Sequence, residues 1–199
     1  FSGRRALMSM GPSWSTLFCT RMICASPALA DQSPLPFNLG GAFELTDQSG
    51  AQRTQADPAG NAQLLFFGYA NCREICSAAL PLMAQIADAV AAQGIAVTPV
   101  MITVDPARDT VAAMGPALTQ HHSDFIGLTG TPDQLQVAYD AYQIETEEVF
   151  FDPEYGPVYA HGSFLYLLDA DGQLLTLVPP VVSPEAAAGI VAKYASGQS

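Results

Sequence analysis

The order of apolar and polar positions defines most of the elements. Leu64, Leu65, Phe66 and Phe67 form an unbroken apolar run within Ala62–Gly68, the pattern of a strand buried on both faces. From Cys76 to Gln93 the apolar residues Ala79, Leu80, Met83, Ile86, Ala87 and Val90 recur every three or four positions. That spacing predicts a helix, closed by Gly94. Ile95–Val104 is a second buried strand, in which Pro99 predicts a bulge. Asp105–Thr110 reads as a loop feeding a helix to about His121, and Phe125–Leu128 as a short strand. Thr131 is placed to cap the next helix, with Pro132 at its first position.

Toward the ends the pattern is shorter. Residues 31–40 are a proline-rich lead-in, and Ala42–Asp47 is a strand candidate ended by the turn Gln48-Ser49-Gly50. Glu145–Tyr159 is acidic and aromatic and is expected to form an irregular hairpin. Phe164–Leu168 and Leu174–Val178 flank Asp169-Ala170-Asp171-Gly172, a hairpin turn, and Ser183 caps a last helix. Strands alternating with helices, then a hairpin and a helix, predict an α/β fold with a mixed central β-sheet flanked by helices. This is the element order of a thioredoxin-like domain.

The chain has 199 residues, 49% of them hydrophobic, and a mean hydropathy of +0.21. These are values for one globular domain of ordinary size. No run of 18 uncharged apolar residues occurs, so no clear membrane span is expected. Residues 1–30 differ from the rest: they hold no acid, three arginines (Arg4, Arg5, Arg21) and two cysteines (Cys19, Cys24). They end in Ala28-Leu29-Ala30 before Asp31, a small-x-small cleavage pattern. We read them as a cleaved export signal, with Gly3-Arg4-Arg5 as a twin-arginine candidate, and 31–199 as the mature domain. A cytosolic disordered tail is the alternative. Export implies a periplasmic protein, soluble after cleavage. Without Arg4, Arg5 and Arg21, four basic residues face all 19 acids, and the net charge moves from −12 to −15. That balance argues against nucleic acid and against a phosphate-binding surface.

Cys72 and Cys76 are then the only cysteines of the mature chain. Their i, i+4 spacing puts both sulfurs on one side of a helix, at its start and just after a buried strand. Backbone N–H groups and the dipole there favour thiolate. Two adjacent thiolates can bind a soft metal ion, cycle between dithiol and disulfide, or form an inert staple. A staple closing so short a loop would contribute only about 2 kcal/mol.

Cu(I) is the soft ion that two thiolates select, and a third ligand to it is usually an imidazole. His161, in Ala160-His161-Gly162-Ser163 before the Phe164–Leu168 strand, is the candidate; a structural histidine is the alternative. Structural zinc would need two further ligands, and only one histidine is suitably placed. His121 and His122 fall at a helix C-terminus, where imidazolium is welcome, with an auxiliary metal role as the alternative. Glu145, Glu147, Glu148, Asp152 and Glu154 are either a solvated face or a docking surface for a basic partner. Exposure of Phe150, Phe151, Tyr155 and Tyr159 would favour the second.

At these residues the chain resembles the Sco (SenC) family of copper-site assembly proteins. The matching segments are Phe43–Gly50, Phe67-Gly68-Tyr69 leading to Cys72 and Cys76, Val104–Thr110, and His161 followed by Leu167–Gly172. The resemblance implies a thioredoxin-like fold and copper, as Cu(I) or Cu(II), held by Cys72, Cys76 and His161. It also implies delivery of that copper to the copper-site subunit of cytochrome c oxidase or a related copper enzyme, or reduction of that subunit's cysteines. A thiol reductant or a copper donor protein would be further partners. Arg73-Glu74-Ile75 and then Ser77 stand where family members usually have Pro-Asp-Val and Pro, and Ala160 stands where Asp is common. Arg73 should favour a Cys72 thiolate while opposing a second cation.

An enzyme reading uses the same pair: Cys72 and Cys76 as catalytic residues of a thiol–disulfide oxidoreductase, one attacking and the other resolving. A peroxiredoxin is a poorer match, because Tyr69 occupies the position where those enzymes carry Thr or Ser.

Overall fold

The computed structural model describes residues 39–70 and 76–197, with side chains in the first helix from Ala78 onward. The expected export signal, Cys72 and Arg73 lie outside the described residues.

Strand β3 (Ala62–Gly68) has the bounds its apolar run predicts, and all but its first residue are buried. It pairs in parallel with β4 (Val97–Thr103), which pairs in parallel with β5 (Ile126–Thr129). β1 (Glu44–Asp47) lies antiparallel to β5, and β2 (Gln52–Thr54) antiparallel to β1. On the other side, β8 (Leu165–Leu168) runs antiparallel to β3, and β9 (Leu174–Val178) antiparallel to β8. The result is a mixed seven-stranded sheet in the order β2-β1-β5-β4-β3-β8-β9.

Helices α1 (Cys76–Ala91) and α4 (Pro184–Ala195) pack on each other, α2 (Val111–Leu118) lies against β5, and α3 (Pro132–Tyr142) reaches β1. The caps follow the sequence. Thr131 and Gln134 form a capping box at α3, and the Ser183 hydroxyl accepts from Ala186 N–H at α4.

Several expectations need correction. The bulge expected at Pro99 does not form: the β3–β4 register runs from Ala62↔Val97 to Gly68↔Thr103 without a shift. Pro99 precedes Val100, where β5 joins β4 on the other side, so a missing N–H is tolerated as at a sheet edge. Helix α2 stops at Leu118, short of His121, so both histidines fall in the loop beyond it. β2 was not expected; Gln-Arg-Thr has no hydrophobic alternation, and its pairing with β1 makes it a strand. The Glu145–Tyr159 segment does form a hairpin, β6 (Glu147–Asp152) with β7 (Gly156–Ala160), as a separate two-stranded sheet. Its irregularity is a register shift between Glu148 and Phe150 that leaves Val149 unpaired, a β-bulge.

Under the sheet, Tyr142 sits 5.3 Å from the rings of both Phe67 and Tyr166 (centroid to centroid), tilted on the first and edge-on to the second. It is fully buried, and its hydroxyl has no hydrogen-bond partner among the described residues. Burial, and secondarily Tyr166, pushes its phenol above the ordinary tyrosine range. Tyr142→Phe keeps the ring contacts and removes the unpaired oxygen, so the thermal midpoint should hold or rise, by up to about 1–3 kcal/mol in stability. Calorimetry on the two proteins checks it, and a clear fall would contradict the packing described here.

Candidate functional site

The site is built where the parallel strands β3 and β4 end, the edge of an α/β sheet that commonly carries function. Beyond Gly68 the chain continues through Tyr69 and Ala70 toward Cys72, and Cys76 is the first residue of α1. Cys76 therefore sits at the N-terminus of the helix that follows the buried β3 in the chain, as expected.

A polar knot holds this exit. Asp109, buried, accepts hydrogen bonds from Ala70 N–H (3.0 Å) and the Thr103 hydroxyl (2.8 Å). Thr103 Oγ1 accepts in turn from Asp105 N–H (2.9 Å), and Tyr139 donates to the Thr103 carbonyl (2.6 Å). Val104 N–H donates to the Gly68 carbonyl (2.8 Å). Two residues before Cys72 the backbone is thus fixed by a side chain from another loop.

Arg108 extends the knot to the β6–β7 hairpin. Its Nε pairs with the buried Asp105 carboxylate, while Nη1 and Nη2 donate to the carbonyls of Tyr155 and Pro157, the latter at 2.7 Å. The guanidinium lies 5.3 Å from the Tyr69 ring centre, a cation–π contact. Gly156, at φ +82°, permits this approach: a Cβ there would stand 2.9 Å from Arg108 Nη1. Tyr159 of β7 meets Tyr69 edge-on at 5.8 Å.

His161 follows β7 directly. β8, just beyond it, is the antiparallel neighbour of β3, with Leu65 opposite Tyr166, so the histidine is delivered to the end of the strand that leads to Cys72. Its half-buried ring stands edge-on to Phe66 (5.6 Å) and Tyr69 (6.0 Å). Nδ1 lies 2.9 Å from the Gly162 carbonyl. A carbonyl only accepts, so this contact is a hydrogen bond in the tautomer that carries the proton on Nδ1, the one that leaves Nε2 as the basic nitrogen. Of the three sequence-predicted residues, the fold therefore brings His161 to Tyr69, three positions ahead of Cys72, and places the backbone of Cys76 at the start of α1.

His122 is used elsewhere. Its Nε2 lies 3.4 Å from Asp88 Oδ1, and Nδ1 accepts from Asp124 N–H (3.1 Å). Both nitrogens have structural partners, and the auxiliary metal reading gains nothing. His121 is exposed.

Sequence reasoning named Val104–Thr110 and Tyr69 within matching segments and Tyr159 as a candidate exposed aromatic, but gave no role at the site to Arg108, Asp109 or the cradle of Phe66, Tyr69 and Tyr159. The available signal was an Asp-x-x-Arg-Asp pattern immediately after a buried strand, where charges must find partners.

The sheet order, with helices against it and Cys76 opening the helix that follows β3, is that of a thioredoxin-like domain. A family model described as SCO1/SenC matches residues 31–196, and the chain belongs to that family. A SCO2-like protein of Rickettsia conorii is 38% identical over 139 residues, 69% of this chain and 67% of that one. Among solved structures, Arabidopsis thaliana ScoI with copper bound aligns with a TM-score of 0.75 and 26% identity over 80% of this chain and 99% of that one. Bradyrhizobium japonicum ScoI with copper bound gives 0.68 and 30% over 78% and 99%.

Two outcomes test the knot. Arg108→Leu leaves the Asp105 carboxylate buried without its cation and should cost about 3 kcal/mol, with faster amide exchange at Tyr155–Tyr159 as the hairpin loosens. The second concerns Asp109, whose pKa burial raises against the opposing hydrogen bonds from Ala70 and Thr103; Asp105 adds to the rise and Arg108 opposes it. The folded state then holds this proton more tightly than the unfolded chain. Its contribution to stability falls as pH rises through the ordinary carboxylate range toward the raised value. Asp109→Asn should flatten that part of the midpoint-versus-pH curve, measured from pH 3 to 7. A curve unchanged in shape would show that Asp109 titrates normally.

Proposed function

We propose that this chain is a copper metallochaperone that binds one copper ion through Cys72, Cys76 and His161 and passes it by ligand exchange to the copper-site subunit of cytochrome c oxidase or a related copper enzyme. The observation that carries the reading is the placement of His161. The ring is fixed against Phe66 and Tyr69 beside the segment leading to Cys72, and its Nδ1 is within hydrogen-bond distance of the Gly162 carbonyl. An orienting hydrogen bond on one imidazole nitrogen is the usual support for a ligand at the other. Copper bound in the Arabidopsis and Bradyrhizobium relatives supports the choice of metal. Two thiolates and one imidazole suit Cu(I), which is content with few, soft ligands. A periplasmic setting belongs to the same reading.

A second reading, reduction of a client's cysteines, is favoured by the position of Cys76 at the N-terminus of α1, where thiolate is stabilised. It has no need of His161.

Anaerobic Cu(I) and Cu(II) titration of the reduced protein separates the readings. One copper per chain is expected, with affinity reduced at least about tenfold by His161→Ala and stoichiometric binding lost in Cys72→Ala and Cys76→Ala. Stoichiometric binding that survives all three substitutions would sink the metal proposal. Dithiol–disulfide turnover that ignores His161→Ala but stops with either cysteine change would select the reductase.

A further inference from the structure

Strand β6 is exposed along nearly its whole length. Val149, Phe150 and Phe151 are 60%, 52% and 65% accessible, three consecutive large apolar side chains. Phe150 and Phe151 are successive paired residues and so point to opposite faces of the ribbon, which leaves apolar side chains exposed on both faces of β6. Large apolar residues exposed together mark a contact site more often than chance. Among the described residues β7 is the only strand beside β6.

Nor is the strand a loose appendage. Asp152 Oδ1 accepts from Glu154 and Tyr155 N–H and so builds the turn, Arg108 holds the carbonyls of Tyr155 and Pro157, and Tyr159 rests on Tyr69. A hairpin anchored in this way presents its aromatic residues at low entropic cost.

The charge around the patch is of one sign. Asp152 and Glu154 serve the turn, Glu154 accepting from the Tyr155 hydroxyl. Glu145, Glu147 and Glu148 are exposed next to the apolar triplet, and among the described residues no basic side chain pairs with them. Arg108, which binds the hairpin's turn, gives its donors to Asp105 and to backbone carbonyls.

We propose that β6 is the docking surface for a partner protein that presents lysine or arginine side chains around an apolar centre. Charge decides among the candidate occupants. A second copy of the chain would set the same three glutamates against each other, on a molecule already at −12. An anionic membrane surface would be repelled likewise. A basic partner is attracted at long range and buries the phenylalanines on contact, the division of labour seen when rim charges set the on-rate and central aromatics the off-rate. A partner seated there lies beside His161, which follows β7 without a break. The inference rests on the copper reading only for what such a partner would receive.

The test uses the full reduced chain and a fluorescein-labelled peptide, Lys-Val-Lys-Phe-Lys-Val-Lys, read by anisotropy. Phe150→Ser/Phe151→Ser should weaken binding about tenfold, and Glu147→Gln/Glu148→Gln about threefold with a smaller salt dependence. Asp171→Asn/Glu185→Gln, which removes two exposed acids outside the hairpin, should change nothing. Far-UV circular dichroism and copper stoichiometry of every variant should match the parent, so a failure of docking is distinguishable from a failure of metal binding.

Three results overturn the proposal: peptide affinity that is equal in the phenylalanine variant, or that falls equally in the Asp171/Glu185 variant; a dimer in sedimentation that the phenylalanine substitutions dissolve, which assigns β6 to a second copy; and co-flotation with phosphatidylcholine–phosphatidylglycerol vesicles that those substitutions abolish, which assigns it to a membrane.

Discussion

The ion pair between Arg108 and Asp105 is the contact on which the functional end of this molecule depends. Asp105 is almost fully buried at the end of β4, and a carboxylate there needs a cation that is itself well held. Arginine meets the requirement better than lysine, because its planar fork can satisfy one acid and still donate to two carbonyls at fixed angles. Those carbonyls belong to the hairpin, and the face of the same guanidinium covers Tyr69. One side chain thereby joins the strand end that leads to the cysteines with the ribbon that leads to the histidine. These two stretches are about ninety positions apart along the chain, and backbone ladders alone would leave the hairpin unattached.

The arrangement balances fixity against access. Ala70 is tied by Asp109 and the Thr103 knot, and the aromatic rings of Phe66, Tyr69 and Tyr159 hold their neighbours at edge-on distances. His161 remains only half-buried. The proposed copper transfer needs both conditions: ligands held well enough to define a site, and a side of that site open to competing ligands.

How much of this was legible in the sequence depended on range. β3 and α1 were readable because Leu64–Phe67 and the Ala79–Val90 repeat report burial through local periodicity alone. Thr131 and Ser183 were readable because capping is settled within four residues. The SCO1/SenC membership was legible from four short segments in order. β2 was not, since Gln52–Thr54 becomes a strand only by pairing with β1. The missing bulge at Pro99 was not, because it depends on where β5 begins. Arg108 was read only as part of the Asp105–Thr110 loop; its partners at Tyr155 and Pro157 are set by tertiary structure. The neighbourhood of His161 fell between these cases: strand order placed it correctly, while the ring contacts and the Gly162 bond needed the folded chain.

The tip of a β-hairpin is ordinarily where a fold is most forgiving, accepting extra residues and side chains of any size. Here it is a gauge. Gly156 leaves no room for a Cβ between its backbone and the Arg108 guanidinium, and the carbonyls on either side of it are the ones Arg108 grips. Lengthening the turn by a residue, or giving Gly156 a side chain, would shift both carbonyls off that fork. The turn and the loop after β4 are therefore obliged to vary together, and relatives that change the length of one should carry a different residue in place of Arg108 in the other.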